Sequence, residues 1–174
     1  NEGGRQLVDV EQAISRGERR VNGHLVAQTL SYAYSEPVFA HLNYKRIVRI
    51  AVHKLRQKAG IGSRILEAIK NHYLDQGDFL ATSFGLTEPL LAFWQKNGYT
   101  VVKLGHKLDA SSGEHSVVML TPLSGKYRAI EQEMQSRFSR ELPYHCDKAF
   151  QHLSPYLLVD LLQHAFIGSH LESW

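Results

Sequence analysis

Gln57-Lys58-Ala59-Gly60-Ile61-Gly62-Ser63 marks the junction from which the architecture of this chain can be read. It stands between a β-branched run, Arg46-Ile47-Val48-Arg49-Ile50-Ala51-Val52, and a repeat of Ile61, Ile65, Leu66, Ile69 and Tyr73 at helical spacing. The run predicts a strand buried on both faces, and the repeat predicts a helix from near Gly60 to near Gly77. Two glycines at the junction let the backbone turn and approach a ligand closely. The free amides of the helix start point one way and carry a partial positive charge, which suits a phosphate or pyrophosphate. The same residues also suit a plain turn that starts a helix, and Gly-x-Gly alone does not separate the two. A dinucleotide fingerprint is excluded, because Ile65 stands where its third glycine belongs. A P-loop is excluded too, because no Gly-Lys-Ser/Thr follows.

Outward from this junction the chain alternates. On the N-terminal side, Gln6 to Ser15 predicts a short helix. Gly23 to Leu30 predicts a strand, with Leu25 and Ala27 on one side and Val26 and Gln28 on the other. Ser35-Glu36-Pro37 marks a loop. On the C-terminal side, Phe79 to Ser83 reads as a strand. Leu90, Leu91, Phe93 and Trp94 lie on a helix closed by Asn97-Gly98. Tyr99 to Leu104 and His115 to Thr121 read as strands around a turn at Asp109 to Gly113. This order predicts an α/β chain with a mixed sheet. After Pro122 the character changes. Tyr127, Ile130, Met134 and Phe138 make one helical stripe. Ser154-Pro155 opens a second helix through Leu157, Leu158, Leu161, Leu162, Ala165 and Phe166. Residues 1–122 are therefore expected to form a core and residues 123–174 a helical appendage.

The 174 residues are 43% hydrophobic and 21% charged, which excludes wholesale disorder. No apolar run approaches the ~20 residues a membrane span needs, and the stretch Tyr156 to Val159 is broken at Asp160. The chain opens Asn1-Glu2-Gly3-Gly4, without Met or a basic-then-apolar leader, and is expected to be cut from something longer. Its single cysteine, Cys146, forbids an internal disulfide and a multi-Cys zinc site; a reducing, cytoplasmic setting is expected. The ten histidines fall in no metal-ligand spacing, and no metal is expected. Net charge is only +3, but Pro37 to Leu66 holds no acidic residue. Lys45, Arg46, Arg49, Lys54, Arg56, Lys58 and Arg64 fall in that window, either as a solvated basic face or as a site for a polyanion.

Two segments together resemble the GNAT N-acetyltransferases over about residues 23–121. One is Gln-x-x-Gly-x-Gly at Gln57 to Gly62, after Ile50-Ala51-Val52-His53. The other is Phe93-Trp94-Gln95-Lys96-Asn97-Gly98-Tyr99 before a strand. Gly23-His24-Leu25-Val26-Ala27-Gln28, Ser83-Phe84-Gly85-Leu86-Thr87 and Ser112-Gly113-Glu114-His115-Ser116 narrow the likeness to the acetyltransferase domain of the tRNA(Met) cytidine acetyltransferases. The helical tail resembles that family more weakly. The resemblance implies a GNAT fold, with a mixed, mostly antiparallel sheet flanked by helices. It implies acetyl-CoA as acetyl donor and, as acceptor, the N4 amine of the wobble cytidine of elongator tRNA(Met). It also implies an upstream helicase-like module that uses ATP, absent from this chain. The sequence departs from the family pattern at Lys54, where proline is usual, at Thr87-Glu88-Pro89, where the carboxylate comes one position early, and at Lys96, where arginine is frequent.

By the same resemblance, Gln57, Lys58, Ala59, Gly60, Ile61, Gly62 and Ser63 hold the coenzyme, with Lys96 a further contact. The amides of Ile50, Ala51 and Val52 polarise the thioester carbonyl. Lys45, Lys54 and Arg56 would meet the tRNA backbone. The cytosine amine is uncharged and a poor nucleophile, so a base must act during or after attack. His53 is the first candidate, from its place after the strand and its intrinsic pKa, and His115 is the second. Both also read as ordinary histidines. Tyr99 reads either as an acid for the leaving thiolate or as sheet core. Phe93 and Trp94 read either as base-stacking platforms or as core. Two other functions stay open: acetylation of a protein or small amine, and a coenzyme- or RNA-binding module inactive without its partner module.

Overall fold

Val26, Ala27, Leu30, Ser31 and Tyr34 are all buried, and their spacing is helical. In the computed structural model, which describes residues 1–110 and 112–169 (the side chains of 164–169 apart), they form the inner face of a helix over Leu25–Tyr34. The strand expected over Gly23 to Leu30 is therefore corrected to a helix. Its start is fixed from far away. The carboxylate of Glu2, only 5% exposed, accepts the Val26 amide at 2.6 Å and the Arg46 guanidinium at 2.8 Å. Such a carboxylate satisfies an orphan donor and opposes the positive end of the helix dipole.

The chain divides into two compact units. The first, residues 1–83 with 121–127, begins with strand β1 (Glu2–Gly3), a 3-10 segment over Gly4–Val10 and helix α1 (Glu11–Ser15). The helix Leu25–Tyr34 is α2, and α3 (Val38–His41) and strand β2 (Asn43–Ile47) follow. Helix α4 (Ile61–Tyr73) then crosses over to strand β3 (Phe79–Gly85), whose last two residues belong to the second unit. β1 runs antiparallel to β2, pairing Glu2 with Tyr44. β2 runs parallel to β3, from Tyr44 opposite Phe79 to Ile47 opposite Thr82. Tyr44 and Phe79 are both fully buried and stack at 5.9 Å, and the Tyr44 hydroxyl donates to the Phe39 carbonyl at 3.0 Å.

The strand expected over Arg46 to Val52 starts earlier and ends at Ile47. The Thr82 hydroxyl donates to the Ile47 carbonyl at 3.2 Å, and no strand pairing continues beyond it. Val48 is 72% exposed. β-Branched residues hold strand geometry only where a partner and a covered face exist, and Val48 has neither.

The second unit, residues 84–120 with 128 onward, carries α5 (Glu88–Lys96), β4 (Thr100–Leu108), β5 (His115–Pro122, ending in the first unit), α6 (Arg128–His145) and α7 (Pro155–Ser169). β4 and β5 are antiparallel, from Thr100 opposite Leu120 to Leu108 opposite His115. The expected turn is closed by the Gly113 amide on the Asp109 carbonyl at 2.8 Å. Helix α5 ends at Asn97-Gly98 as read from the sequence. Met134, Phe138 and Leu142 form the buried face of α6, which packs on β4 and α7. Tyr127 is not on that stripe: it lies in a 3-10 turn of the first unit, its ring 5.6 Å from Phe79. Leu157 and Leu161 are buried on α7, while the side chains of Ala165 and Phe166 lie outside the described residues. The pairings thus give a mixed sheet flanked by helices, the α/β class expected.

Candidate coenzyme-binding site

Gly60 is the N-cap of α4, with φ 73° and ψ 4°. A side chain is strained in that left-handed region, and glycine is not. The first closed turn runs from the Arg64 amide to the Gly60 carbonyl at 3.0 Å. The amides of Ile61, Gly62 and Ser63 therefore have no intrahelical acceptor, and no side chain caps them. No acidic residue lies in the first turn. A Cβ built on Gly60 would meet no protein atom within 4 Å, so the space before the helix is open. Lys58 is also left-handed, at φ 62°, which costs a non-glycine residue about 1–2 kcal/mol. Lys58, Ala59 and Gly60 are exposed. An uncapped helix start with no acid in its first turn, preceded by a left-handed basic residue, has the donors and the charge that suit an anion.

Upstream, the loop braces itself. The Gln57 side chain donates through Nε2 to the Val52 carbonyl at 3.1 Å. His53 caps a 3-10 turn over Lys54–Arg56, its Nδ1 accepting the Leu55 amide at 3.4 Å. Its ring is exposed. The amides of Ile50, Ala51 and Val52 take part in no hydrogen bond among the described residues, because the chain has already left the sheet. They are free donors on an irregular segment, not on the strand edge the sequence predicted.

The first unit holds this loop and His53, and the second holds His115 and Lys96. Lys96 is exposed in the last turn of α5. His115 is only 4% exposed; its Nδ1 lies 2.8 Å from the Gly105 carbonyl and its ring 5.2 Å from Phe150. His106 and His145 pack on the same phenylalanine, and burial, with Lys103 and His145 adding to it, pushes the His106 imidazole below its usual range. Among the described residues no group of three or more His, Cys, Asp and Glu is placed to hold a metal.

Trp94 is buried, edge-on to Tyr99 at 4.7 Å and stacked on Phe84 at 6.0 Å, so it is core and not a platform for bases. Phe93 is half-buried against Trp94. The Tyr99 hydroxyl is buried with no hydrogen-bond partner among the described residues, and burial raises its pKa far above the usual phenol value. Cys146 donates to the Leu142 carbonyl at 3.2 Å; burial first, and Asp147 second, push its thiol up, away from a nucleophilic thiolate.

The basic window divides. Arg46 is committed to Glu2, and Lys45 to Asn1 at 3.0 Å and to the face of Tyr73. Lys54, Arg56, Lys58 and Arg64 are exposed and form no ion pair among the described residues. Lys54 and Arg56 are thus free to meet a polyanion, whereas Lys45 is partly engaged. Two features were missed from the sequence. The left-handed Lys58 carries no residue-type signal, and the Glu2 cap joins residues 24 apart.

The family described as GNAT acetyltransferase 2 matches residues 1–77 and 74–124. Among curated relatives, the tRNA(Met) cytidine acetyltransferase TmcA of Actinobacillus pleuropneumoniae serotype 5b is 41% identical over 138 residues, 77% of this chain and 23% of the relative. The protein of that name from Salmonella typhimurium is 39% identical over 133 residues, 76% of this chain and 20% of its own length. The one from Nitrosococcus halophilus is 34% identical over 156 residues, 89% of this chain and 21% of its own. The matches thus span about a fifth to a quarter of the length of these relatives.

Proposed function

The chain belongs to the GNAT acetyltransferase 2 family, and from that premise we propose that it is the acetyl-transferring part of a longer, ATP-using tRNA(Met) cytidine acetyltransferase of the cytoplasm. It moves acetyl from acetyl-CoA to the N4 amine of the wobble cytidine. The observation that carries this reading is the uncapped start of α4: three free amides behind a left-handed glycine, open to solvent and free of acid. That donor set fits a pyrophosphate. The relatives named above supply the acceptor.

Acetyl-CoA supplies the reactive thioester, and the chain's own groups do the rest. Ile61, Gly62 and Ser63 hold the pyrophosphate through their amides, with Lys58, Ala59 and Gln57 forming the approach. The free amides of Ile50, Ala51 and Val52 donate to the carbonyl oxygen as it gains charge. His53 takes the proton of the amine, with His115 the second candidate, as the acyl carbon–sulfur bond breaks and coenzyme A leaves as its thiol; Lys96 is a further coenzyme contact. Lys54 and Arg56, together with Lys45 where Asn1 releases it, carry the tRNA backbone. The upstream helicase-like module remodels the RNA, so the chain alone binds acetyl-CoA and acetylates RNA slowly or not at all.

The test pairs two measurements. Calorimetry gives acetyl-CoA affinity, and transfer of labelled acetyl is followed to tRNA, to lysine peptides and to polyamines. Acetyl-CoA binding with the acetyl group delivered to cytidine supports the reading. Efficient transfer to a peptide or polyamine replaces the acceptor, and absent acetyl-CoA binding removes the enzyme altogether.

A further inference from the structure

A cavity of about 310 Å³ opens in the first unit beside the loop between α1 and α2, apart from every residue assigned above. Its apolar wall is Ile14 and Leu25, its polar wall Gln28 and Thr29, and its rim Arg19, Arg20 and Tyr32. No carboxylate lines it. Both arginines are exposed and form no ion pair among the described residues.

The loop that carries them is fixed at both ends. At its start, the Glu18 and Arg19 amides donate to the Ala13 carbonyl at 2.8 and 3.2 Å. Further on, Gln28 grips Val21 twice: Nε2 donates to the Val21 carbonyl at 3.0 Å, and Oε1 accepts the Val21 amide at 3.2 Å. Gly17, at φ 74°, lies so close to Tyr32 that a Cβ there would sit 2.6 Å from the ring. The loop thus lies against one edge of the Tyr32 ring, while the residue stays 60% exposed. A braced loop therefore carries two arginines without an ion pair among the described residues, beside an exposed aromatic ring, around one concavity.

Guanidinium forks match phosphate oxygens bidentately, and an exposed tyrosine ring stacks a base without regard to its identity. The volume falls at the small end of ligand cavities, about 300–1,000 Å³, where one nucleotide fits. We infer that this cavity binds one nucleotide of single-stranded RNA, with Arg19 and Arg20 on the phosphate and Tyr32 under the base. The inference rests on RNA being the acceptor, and adds a place where the strand is gripped away from the coenzyme loop. The nucleotide end of coenzyme A offers the same chemistry, so the experiment must separate the two sources.

The probe is a labelled single-stranded oligocytidine, followed by fluorescence anisotropy across a salt series, beside calorimetry with acetyl-CoA. All measurements use the 174-residue chain. Arg19→Glu/Arg20→Glu should weaken RNA binding at least tenfold at low salt and flatten the log–log salt slope by about 0.7, the one phosphate contact. Tyr32→Ser should cost about five- to a hundredfold, and Tyr32→Phe, which keeps the ring, should bind as the wild type does. Acetyl-CoA affinity should be unchanged throughout, and urea unfolding reports independently that the variants are folded. RNA affinity and salt slope unchanged in both disruptive variants would overturn the inference and leave the RNA acceptor standing. Loss of acetyl-CoA affinity in the folded charge-reversed variant would reassign the cavity to the coenzyme. Absence of RNA binding by the wild type, with acetyl-CoA binding intact, would remove the cavity's ligand and the RNA acceptor together.

Discussion

Gly62→Asp separates the fold from the ligand. Gly62 is the second residue of α4 and has ordinary helical backbone, since it is not among the positive-φ glycines. Replacing glycine inside a helix recovers a few tenths of a kcal/mol of propensity even with aspartate. A carboxylate in a first turn that now has none gains about 0.3–1 kcal/mol from the helix dipole. The free protein should therefore be as stable as the wild type or more stable by up to about 1 kcal/mol. The bound state moves the other way. At about 6 Å in water, each charge of a pyrophosphate is repelled by about 0.7 kcal/mol, so two charges cost about tenfold in affinity. Partial exclusion of water raises that, since at an effective dielectric of about 20 the same pair costs over 5 kcal/mol. Urea unfolding gives the first quantity and acetyl-CoA calorimetry the second, with Gly62→Ala as the uncharged control. A variant that is folded, no less stable and still binds acetyl-CoA at wild-type affinity would refute the placement of the pyrophosphate on these amides.

Three further outcomes are expected. His53→Ala should lower turnover while leaving acetyl-CoA affinity within a few-fold, because a base acts on the acceptor; equal turnover in steady-state assays would promote His115. Charge reversal of Lys54 and Arg56 should weaken tRNA binding and reduce the log–log salt slope by about 0.7–0.9 per lost phosphate contact, and an unchanged slope would return both residues to a solvated face. Glu2→Ala should cost about 3–5 kcal/mol in urea unfolding, since it strips a buried partner from Arg46 and the cap from α2; a loss under 1 kcal/mol would mean the carboxylate does not hold the helix start.

Gly60, α5 and the β4–β5 hairpin were legible because their signals are local. A left-handed glycine before an amphipathic run, an Asn-Gly stop and alternating strands around a tight turn are each settled within a few residues. Residues 23–30 were not legible, because Leu25-Val26-Ala27-Gln28 satisfies a period of two and a period of 3.6 alike. The decision comes from outside the window: Glu2 on the Val26 amide, and the Gly3 amide on His24 Nδ1 at 2.9 Å. Residues 48–52 failed for the opposite reason. Their side chains are good strand formers, but Ile47 opposite Thr82 is the last parallel pair, and propensity without a partner does not extend a sheet. Nor does sequence say which basic residues are spent. Arg46 and Arg49 read alike, yet Arg46 is committed to a buried carboxylate and Arg49 is exposed.

The two histidines differ in a way that orders them as bases. His115 Nδ1 faces a carbonyl, which only accepts, so Nδ1 carries the proton and Nε2 is the free acceptor a base needs. That ring, however, is 4% exposed and rests on Phe150, itself 3% exposed. Bringing a substrate to it means uncovering the phenylalanine, at about 1.5–3 kcal/mol for a side chain of that size. His53 is open to solvent but holds the opposite tautomer: Nδ1 accepts the Leu55 amide, which leaves the proton of the neutral ring on Nε2. Its correction is cheap. The bond is 3.4 Å long, beyond the usual 2.7–3.2 Å, and both partners are exposed, so releasing it to water costs well under 1 kcal/mol. Turning the proton around on an exposed ring is easier than opening a packed one. On that comparison His53 stands ahead of His115 as the group that takes the amine proton.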